Sequence, residues 1–382
     1  MNNTRFHVVV IGAGYSGVMA TNRLLAEHPD VAATVVNPRS VFVERTRLHQ
    51  HAAATGSATH DLVELLHPRA ELRVGTALRI DDGTVLLADG STLTCDAAVY
   101  AVGSGPARVD VPGGERAHSV SDLESAAALH SAIDALPDGA AVTVVGGGFT
   151  GIETVTEFAT AHRGHRFTLV GDPGPDLPYR TRRYLRRTLT GFGIEILAGV
   201  AVTEITDDSV RLDDSTESPS DLTVWAGGFS VPDLARRSGL DVDDSGRLHV
   251  DATLRATNRS NVIGVGDAVT IADRPYIRMS CQAAIPLGVH GAGTVWEVLQ
   301  GRDPASLSLG FVAQCISLGR GRAALQFTTA ADAPRAMTLR GRPAAFVKEA
   351  ILRGTIRSMQ RQARGHAPHV MEGPTSDLVA AQ

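Results

Sequence analysis

Two stretches of the chain share one pattern of hydrophobic and polar positions. Each begins with an uninterrupted apolar, mostly β-branched run, which is typical of a strand buried on both faces of a parallel sheet. Each then passes through three closely spaced glycines into a segment that is helix-like. The stretches are residues 7–24 (HVVVIGAGYSGVMATNRL) and 141–158 (AVTVVGGGFTGIETVTEF). The pattern predicts a strand, a tight turn and a helix in both places.

The glycines of both stretches have the G-x-G-x-x-G spacing of a dinucleotide-binding turn. The first glycine allows the tight turn, the second lets a pyrophosphate approach the backbone, and the third lets the helix pack on the strand. The helix N-terminus then offers unpaired N–H groups and a partial positive charge to the phosphates. Because each copy lies between a predicted strand and a predicted helix, we predict two dinucleotide sites. The glycines are Gly12, Gly14 and Gly17 in the first motif, and Gly146, Gly148 and Gly151 in the second.

Three further apolar segments contain glycine at or near their ends and complete the pattern of such domains. They are residues 97–105 (AAVYAVGSG), 222–229 (LTVWAGGF) and 261–269 (NVIGVGDAV). The first two each follow one dinucleotide motif and would return the chain to its nucleotide-binding edge. In the third, Asp267 stands at the end of a predicted strand beside a helix start, where it can accept hydrogen bonds from sugar hydroxyls. The alternative is that Asp267 caps the following segment.

The C-terminal region, from about residue 305, carries no nucleotide motif. Residues 311–319 (FVAQCISLG) and 323–328 (AALQFT) are predicted strands, residues 346–364 (FVKEAILRGTIRSMQRQAR) are a predicted helix, and the tail after His366 is predicted to be disordered. An apolar and a basic face on this helix permit contact with an anionic membrane surface. Gly354 in mid-helix and few aromatic side chains favour packing over an active site or against a second subunit. The apolar face comprises Val347, Ile351, Leu352, Thr355, Ile356 and Met359, and the basic face comprises Lys348, Arg353, Arg357, Arg361 and Arg364.

Composition narrows the classes of function. A chain of 382 residues exceeds one hydrophobic core, so two or three domains are expected. The net charge of −5 argues against nucleic-acid binding, which requires a basic face. The three cysteines form no CxxC pair, which excludes a disulfide scaffold and a zinc ribbon, and no metal site is predicted. Since the sequence shows no leader pattern and no apolar run of about 20 residues, a cytoplasmic protein is expected.

Taken in order, these five segments resemble those of the FAD/NAD(P)-dependent pyridine nucleotide oxidoreductases. The resemblance covers roughly residues 6–300 and is greatest to type II NADH:quinone oxidoreductases and apoptosis-inducing-factor-like flavoproteins. It implies an α/β fold with two Rossmann-like dinucleotide-binding domains, the NAD(P)H domain being inserted in the FAD domain, and a C-terminal α+β region. The expected boundaries are 1–110 and 235–305 for the FAD domain, 111–234 for the NAD(P)H domain and 306–382 for the C-terminal region.

The resemblance assigns the first glycine motif to FAD, with Asp267 bonding the ribityl chain and two glycines, Gly103 and Gly266, beside it. Where the family usually has an acidic residue for a ribose, this sequence has Asn37. Its uncharged amide can still bond a hydroxyl, at a loss of roughly 1 kcal/mol. Arg45 and Arg47 can reach the FAD phosphates or form surface salt bridges.

The resemblance assigns the second motif to NADH or NADPH, together with Gly227 and Gly228. Asp172 can accept the 2′-hydroxyl of NADH. Equally, Gly171 before it leaves room for the 2′-phosphate of NADPH, with an arginine as its partner. The preference therefore stays open. The candidate arginines are Arg180, Arg182 and Arg183.

Glu153 and Gln282 are the candidate catalytic residues. Glu153 follows the third glycine of the second motif, in a predicted first helical turn, where the helix dipole alone would favour a carboxylate. The resemblance places it near the nicotinamide, to orient the ring or relay protons to the acceptor. It assigns Gln282 to a quinone pocket, although the usual A-Q-x-A-x-Q pattern is altered at Cys281 and Pro286. Cys281 is expected to be a buried, inert thiol.

The leading hypothesis is a FAD-dependent NAD(P)H oxidoreductase that reduces a quinone, a quinone-like compound or another small organic acceptor. Residues 37–56 contain no cysteine, which excludes the disulfide and peroxidase routes of some relatives. Two alternatives stay open: a flavoenzyme acting on a specialised metabolite with NAD(P)H peripheral, and a non-catalytic redox-sensing flavoprotein. The expected partner is a small-molecule electron acceptor. Membrane contact is not favoured, and a homodimer is compatible with the sequence.

Overall fold

A computed structural model describes residues 5–366 and 371–374. The first segment of the chain, residues 6–106, alternates helices with strands. Single turns of 3-10 helix lie at Arg45–Arg47 and Gly114–Arg116. The helices are α1 (Tyr15–Glu27), α2 (Leu48–Ala52) and α3 (Leu62–Leu65), and the strands are β1 (Phe6–Ile11), β2 (Val31–Asn37), β3 (Val41–Val43), β4 (Thr59–Asp61), β5 (Ala70–Val74), β6 (Ala77–Asp81), β7 (Thr84–Leu87), β8 (Thr92–Thr94), β9 (Ala97–Tyr100) and β10 (Gly105–Pro106).

The middle segment repeats the strand–turn–helix arrangement of the first. Its helices are α4 (Leu123–Asp134), α5 (Phe149–Ala161) and α6 (Tyr179–Gly191). Its strands are β11 (Ala141–Val145), β12 (Arg166–Val170), β13 (Glu195–Leu197), β14 (Val202–Ile205), β15 (Ser209–Leu212), β16 (Glu217–Pro219), β17 (Leu222–Trp225) and β18 (Phe229–Ser230).

The last part of the chain first returns to the sheet of the first segment and then forms a separate layer. The returning elements are α7 (Leu234–Arg237), β19 (Leu248–Val250), β20 (Arg255–Ala256), β21 (Arg259–Gly264), β22 (Val269–Ile271) and α8 (Cys281–Leu299). The separate layer consists of β23 (Ala313–Ser317), β24 (Ala323–Thr328), β25 (Pro334–Gly341) and α9 (Arg342–Ala363).

Two sheets carry the two nucleotide motifs. The larger sheet has the order β22-β19-β20-β21-β9-β1-β2-β5, and β1 pairs in parallel with β2 and β9. The smaller sheet has the order β13-β12-β11-β17, and β11 likewise pairs in parallel with β12 and β17. Since β21 pairs in parallel with β9 across the intervening chain, the second nucleotide-binding unit is inserted within the first. The predicted fold class is confirmed.

The central strands are buried on both faces, as their uninterrupted apolar runs predict. Val8, Val9 and Val10 in β1 have no exposed surface, and Val144 in β11 has none either. In each unit the glycine turn follows such a strand directly. The nucleotide motifs therefore lie at the carboxyl edge of a rigid, desolvated sheet, where open α/β folds bind ligands.

The C-terminal layer differs from its prediction in two respects. The strand β25 was not predicted, because its sequence (PRAMTLRG) lacks the apolar alternation that marks a half-buried strand; its first four residues are exposed and its last four are partly buried. The helix α9 begins at Arg342 and so is longer than predicted. On its predicted apolar face Ile351 is 47% exposed. On its predicted basic face Lys348 is buried.

The helix α9 packs against α1, and a hydrogen bond joins the two helices. The side chain of Asn22 in α1 donates to the carbonyl oxygen of Met359 at 3.2 Å. Residues 371–374 lie beside residues 308–310, where the Gly310 N–H donates to Met371 O at 3.1 Å. The other residues of the predicted disordered tail lie outside the described part of the chain. Within residues 5–366 and 371–374, no helix combines the length and apolar character needed to cross a membrane.

Candidate active site

The first glycine turn is closed on its protein side and open on the other. Gly12 has a φ of +103°, and a Cβ on it would collide with the carbonyl oxygen of Ala101. A Cβ on Gly17 would collide with the carbonyl oxygen of Gly12, so α1 packs directly on the turn. A Cβ on Gly14 would meet no protein atom within 4 Å. This turn has the shape that fits a pyrophosphate lying over Gly14.

The second glycine turn has the same construction. Gly146 has a φ of +121°, and a Cβ on it would lie 2.9 Å from the backbone of Ala226. A Cβ on Gly151 would collide with the Gly146 carbonyl oxygen, whereas Gly148 faces open space. The helix α5 starts at Phe149, immediately after the turn. The chain therefore contains two glycine turns of the same construction, each open on one side, which we call cradles.

Asn37, predicted to contact a ribose, also fastens the first turn. Its Oδ1 accepts a hydrogen bond from the Ala13 N–H at 3.0 Å, and its Nδ2 donates to Arg39 O at 2.7 Å. The side chain is buried at the end of β2. An amide provides both an acceptor and a donor here, which a carboxylate would not. The ribose contact stays a prediction.

A chain of polar contacts joins Arg45 to Asp267 beside the first turn. Arg45 Nη1 donates to the carbonyl oxygen of Ser104 and, at 3.0 Å, to its hydroxyl. The Ser104 hydroxyl donates to Asp267 Oδ2 at 2.8 Å. Burial lowers the pKa of Arg45, and Asp267 partly offsets this effect. The structure thus brings together two predicted FAD residues that are 222 positions apart in the sequence.

The glycines beside this chain allow the close approach. Gly103 has a φ of +68° and faces open space, whereas Gly266 has a φ of +86° and would place a Cβ 2.5 Å from the Ser16 hydroxyl. Asp267 precedes β22, and the helix α8 starts only at Cys281 with Ser280 as its cap. The alternative role of Asp267 as a helix cap is therefore wrong, because a strand follows it. A cavity of about 170 Å³ is lined by Gly266, Asp267, Arg278 and Ala283.

Asp172 stands at the second turn but with an arginine that was not predicted. Its Oδ1 accepts a hydrogen bond from Arg186 Nη2 at 2.6 Å. A Cβ on Gly147 would collide with the carbonyl oxygen of Asp172, which brings the residue against the glycine turn. Gly171 has a φ of +126°. Arg186 lies on α6, in the same arginine-rich stretch that supplied the three predicted candidates, and this was the available signal.

The two glycines after β17 lie on the opposite side of the second turn from Asp172. Gly228 has a φ of +90°, and a Cβ on Gly227 would lie 3.0 Å from Trp225 Nε1. The backbone of Ala226, between Gly227 and the strand, is in contact with Gly146. The geometry brings these residues to the cradle, and their contact with NAD(P)H stays a prediction.

Glu153 lies in a buried cluster to which four elements contribute: α5, α2, β23 and α9. It stands in the second turn of α5, not the first as predicted, because the helix begins at Phe149. Its Oε1 accepts hydrogen bonds from Lys348 Nζ of α9 and, at 2.8 Å, from the Ser317 N–H. His49 Nδ1 of α2 lies 3.7 Å from Oε2. The carboxylate is therefore held by charge partners from outside its own domain, and not by the helix dipole.

Burial and charge act in opposite directions on this cluster. Burial by itself raises the pKa of Glu153, but Lys348, with the Ser317 N–H, brings it below its ordinary value. Burial lowers the pKa of His49, against the opposing effect of Glu153, so the imidazole is favoured in its neutral form. His49 Nε2 is buried and finds no hydrogen-bond partner among the described residues. A neutral imidazole with one free nitrogen thus stands beside an ionised carboxylate.

A second carboxylate, Glu157, occupies the next turn of α5 and was missed from the sequence. Its Oε1 accepts hydrogen bonds from Arg320 Nε at 2.8 Å and from the Thr55 hydroxyl. The side chain is 1% exposed. The signal was its position four residues after Glu153, which puts both carboxylates on one helical face. Together they join the C-terminal layer to α5.

The burial of Lys348 corrects its assignment to the solvent-exposed basic face of α9. The Lys348 side chain is 9% exposed and the Glu153 side chain 12%. The printed sequence contains 36 lysines and arginines, and Lys348 is its single lysine. An arginine stays protonated in proteins, whereas a lysine can release its proton when buried. The one lysine of an arginine-rich chain was the sequence signal for this residue.

Gln282 of α8, which was predicted to lie on the acceptor side, belongs to a second polar group. Gln282 Oε1 accepts a hydrogen bond from Arg278 Nη2 at 3.3 Å. Arg278 forms an ion pair with Asp332, which also accepts from Gln314 Nε2 at 3.1 Å. Gln282 and Glu153 therefore belong to different hydrogen-bonding groups. Arg278 is the residue that joins Gln282 to the C-terminal layer.

The thiols of Cys281 and Cys315 show no sign of activation for chemistry. Burial raises the pKa of Cys281 to about 11 and also raises that of Cys315. Both thiols are free. Pro286 lies inside α8, where it removes a backbone donor. The described residues contain no cluster of ligands suited to a metal ion.

Comparison with known proteins adds a family. The model described as pyridine nucleotide-disulphide oxidoreductase matches residues 6–288. A NADH dehydrogenase-like protein of Mycobacterium tuberculosis is 28% identical over an alignment of 404 positions, which covers 98% of this chain and 97% of that protein. The sulfide:quinone oxidoreductase from Aquifex aeolicus superposes with a TM-score of 0.79 at 19% identity, covering 94% of this chain and 92% of that one. NDH2 from Plasmodium falciparum, in complex with NADH, gives 0.76 at 13% identity, covering 94% and 98%. These two likenesses concern the fold.

Proposed function

Because this chain belongs to the pyridine nucleotide-disulphide oxidoreductase family, we propose that it oxidises NADH or NADPH and passes the electrons, by way of FAD, to a quinone or another small organic acceptor. It is an NAD(P)H-dependent flavoprotein oxidoreductase by family. The identity of the acceptor is the proposed part. The support for it comes from the buried cluster around Glu153.

The residues of the first turn fit FAD. Gly12 and Gly17 close the turn against the protein, and Gly14 leaves the space that a pyrophosphate would occupy. Asp267 and Arg45 stand beside it, one to accept hydrogen bonds from sugar hydroxyls and one to balance phosphate charge. When bound, FAD supplies a ring that accepts a hydride and releases electrons. The second turn would hold the pyrophosphate of NAD(P)H in the same manner.

The pair of Glu153 and Lys348 is the observation that carries the proposal. Both side chains are nearly excluded from water and come from different layers of the protein. Reduction of a quinone-type carbonyl compound takes up protons together with two electrons. Lys348 Nζ can hold or release a proton, and Glu153 keeps that proton in place by charge. A site that only handed single electrons to another protein would not need to deliver a proton to the acceptor.

The surroundings of the pair support the same acceptor class. His49 offers an unpartnered ring nitrogen, to which a carbonyl or hydroxyl oxygen of an acceptor can hydrogen-bond. The raised pKa values of Cys281 and Cys315 keep both thiols protonated at neutral pH, which supports a route without a thiolate nucleophile. The C-terminal layer covers the cluster and would exclude water from it.

The test uses FAD-loaded protein under anaerobic conditions. NADH or NADPH should bleach the flavin absorbance rapidly, and menadione should restore it in a second mixing step. In Glu153→Gln, bleaching should stay fast and restoration should slow by about 100-fold, the lower end of the range for general acid–base catalysis, because the carboxylate that holds the Lys348 proton is gone. Equal restoration in both proteins would contradict the role of the pair. Failure of both dinucleotides to bleach the flavin would contradict the function itself.

A further inference from the structure

The cavity of about 170 Å³ beside Asp267 also borders the polar group of Gln282, because Arg278 belongs to both. Two further arginines, Arg247 and Arg274, line the same cavity. We propose that this cavity binds an acid group of the electron acceptor, so that the acceptor is a compact organic anion with a reducible quinone-type carbonyl. This inference rests on the proposed function and deepens it, since it names the charge of the acceptor and the side chain that recognises it.

The residues that line the cavity carry more positive than negative charge. Against the three arginines stands a single lining carboxylate, that of Asp267. Arg247 and Arg278 each have an acidic partner that is not part of the lining, Asp243 at 2.8 Å for the first and Asp332 for the second. Both Nη atoms of Arg247 and the Nη1 atom of Arg278 donate to no residue in the described part of the chain. Both arginines therefore keep N–H groups for a further acceptor atom.

Arg274 carries the positive charge that no carboxylate balances. Its Nη2 donates to Leu307 O at 2.9 Å, and within residues 5–366 and 371–374 it forms no ion pair. The segment around it is held in place by the Tyr276 hydroxyl, which donates to Leu309 O at 3.0 Å. Arg274 is partly buried, and hydrogen bonds between ionised partners are roughly twice as strong as neutral ones. An anion in the cavity would therefore gain most from Arg274.

The rest of the lining is mostly apolar, which favours an organic acid over an inorganic anion. Apolar side chains come from β22, from the segment after it and from α8, namely Val269, Ile271, Ile277 and Leu287. Pockets for drug-sized ligands measure roughly 300–1,000 Å³. A cavity of about 170 Å³ therefore suits a smaller compound. The first turn of α8, whose Ala283 also lines the cavity, adds the partial positive charge of a helix N-terminus.

Cys281, the first residue of α8, links the cavity with the buried pair of Glu153 and Lys348. Burial raises the pKa of its thiol to about 11, and the charges of Arg278 and Lys348 both oppose this shift, so both cations lie within electrostatic range of one residue. An acceptor held by its acid group can thus present its carbonyl to the pair. In the overall step NAD(P)H gives up two electrons and one proton as a hydride, water supplies a second proton, and the quinone-type compound becomes its hydroquinone. The acid group stays ionised throughout.

Binding of benzoate, compared with its neutral amide benzamide, tests the cavity without any turnover. Calorimetry uses the full chain loaded with oxidised FAD, so that the space that FAD itself takes up is already filled. Benzoate should bind about tenfold more tightly than benzamide, since a charged hydrogen bond is gained. Arg274→Gln should remove this preference and Arg274→Lys should keep most of it, because the lysine retains the charge.

The matched control is Arg357→Gln, at an exposed arginine of α9 outside the lining, which should leave the preference within about twofold. If Arg274→Gln does not retain FAD, Arg247→Gln takes its place, with an expected loss of about threefold because Arg247 already has an acidic partner. Equal binding of benzoate and benzamide to wild-type protein, or an unchanged preference in the variant, would overturn the proposal.

Reoxidation by two quinones then separates this inference from the function on which it rests. With 1,4-naphthoquinone-2-sulfonate at low concentration, reduced Arg274→Gln should recover its flavin absorbance about tenfold more slowly than wild type, but with the neutral menadione it should stay within about twofold. Each quinone is compared with itself across the two proteins, so the difference in their reduction potentials cancels. Equal slowing with both quinones would overturn the inference and leave the function intact. If neither dinucleotide bleaches the flavin while the preference for benzoate still depends on Arg274, the function fails and the acid-binding cavity remains supported.

Discussion

Replacing Lys348 separates its charge from its proton. Lys348→Arg keeps a positive charge next to Glu153 but replaces the amine with a guanidinium, which does not give up its proton in proteins. Lys348→Met removes both the charge and the proton while keeping a flexible apolar stem. A difference between the two variants therefore shows which property the protein uses. Lysine occurs at this one position of the sequence, so each variant lacks a lysine amine altogether.

The burial of the Lys348–Glu153 pair determines how large the losses of stability and of rate should be. The Lys348 and Glu153 side chains are 9% and 12% exposed, so the methionine variant leaves a buried carboxylate without its main partner. Removing one member of a buried pair costs about 3–5 kcal/mol, and His49 and the Ser317 N–H remain, so we expect about 3 kcal/mol for Lys348→Met. Lys348→Arg should lose about 1 kcal/mol through imperfect fit. Both should slow acceptor reduction by about 100-fold or more, the scale of a lost proton donor.

Two assays check these values. Urea unfolding gives the free energy of each variant, and anaerobic stopped-flow mixing gives the two half-reactions separately. Reduction of the flavin by NADH should stay within about threefold of wild type in both variants, because the pair then acts only on the acceptor. Wild-type acceptor reduction in Lys348→Arg, with loss in Lys348→Met, would show that charge alone matters. That result would refute the proton role.

Three further predictions follow from individual residues. Gly14→Ala should fold with wild-type stability but purify without FAD, since its Cβ points into the open space of the first glycine turn. Gly17→Ala should instead lose about 2 kcal/mol or more in free energy of unfolding, because its Cβ meets the Gly12 carbonyl oxygen. Gly14→Ala protein that purifies yellow, with bound FAD, would contradict this. Cys281→Ser should keep NADH-dependent acceptor reduction within about twofold, as the buried thiol is protonated, and a 100-fold loss would indicate thiol chemistry. The folded pKa of Glu153 is lowered, so its stabilisation is present above the ordinary pKa of about 4.3 and is lost as the pH falls below it; the advantage of wild type over Glu153→Gln in urea unfolding should shrink on acidification, and growth would contradict the assignment.

The nucleotide-binding half of the fold was predictable because its signals are local. The run from His7 to Ile11 followed by Gly12 specifies a buried strand and a turn within a few residues, and the second copy does the same. The contacts of Gly17 with Gly12 and of Gly151 with Gly146 follow from the same motif, because they lie within it. The contacts of Gly12 and Gly146 with Ala101 and Ala226 require the strand that returns beside each turn. Arg45 and Asp267 needed the family resemblance to be placed together, because no local pattern links them.

The cluster around Glu153 could not be predicted because its members come from distant segments. His49, Ser317 and Lys348 lie on α2, β23 and α9, and none has a local partner in the sequence. The amphipathic pattern of α9 even pointed Lys348 to solvent, since periodicity reports hydrophobicity and not pairing. A lysine on the basic side of such a helix can nevertheless be buried when a carboxylate such as Glu153 lies on the facing helix and pairs with it.

The C-terminal strand β25 shows a second limit. Its residues alternate neither apolar with polar nor small with large, and it is held by backbone pairing to β24, with Leu325 opposite Leu339. A strand with four of eight residues exposed and none fully buried has little reason to carry an apolar period. Such a strand is visible only once its neighbour is in place.

The central claim is that two glycine cradles in one chain bring FAD and NAD(P)H together for hydride transfer. Anaerobic titration of FAD-loaded protein with NADH tests this claim most directly. The account predicts that one equivalent of NADH per bound FAD bleaches the flavin completely, and that a protein altered at Gly148 to valine keeps its FAD but is no longer bleached. Protein that takes up no FAD, or an FAD complex that excess NADH and NADPH leave fully oxidised, would contradict it.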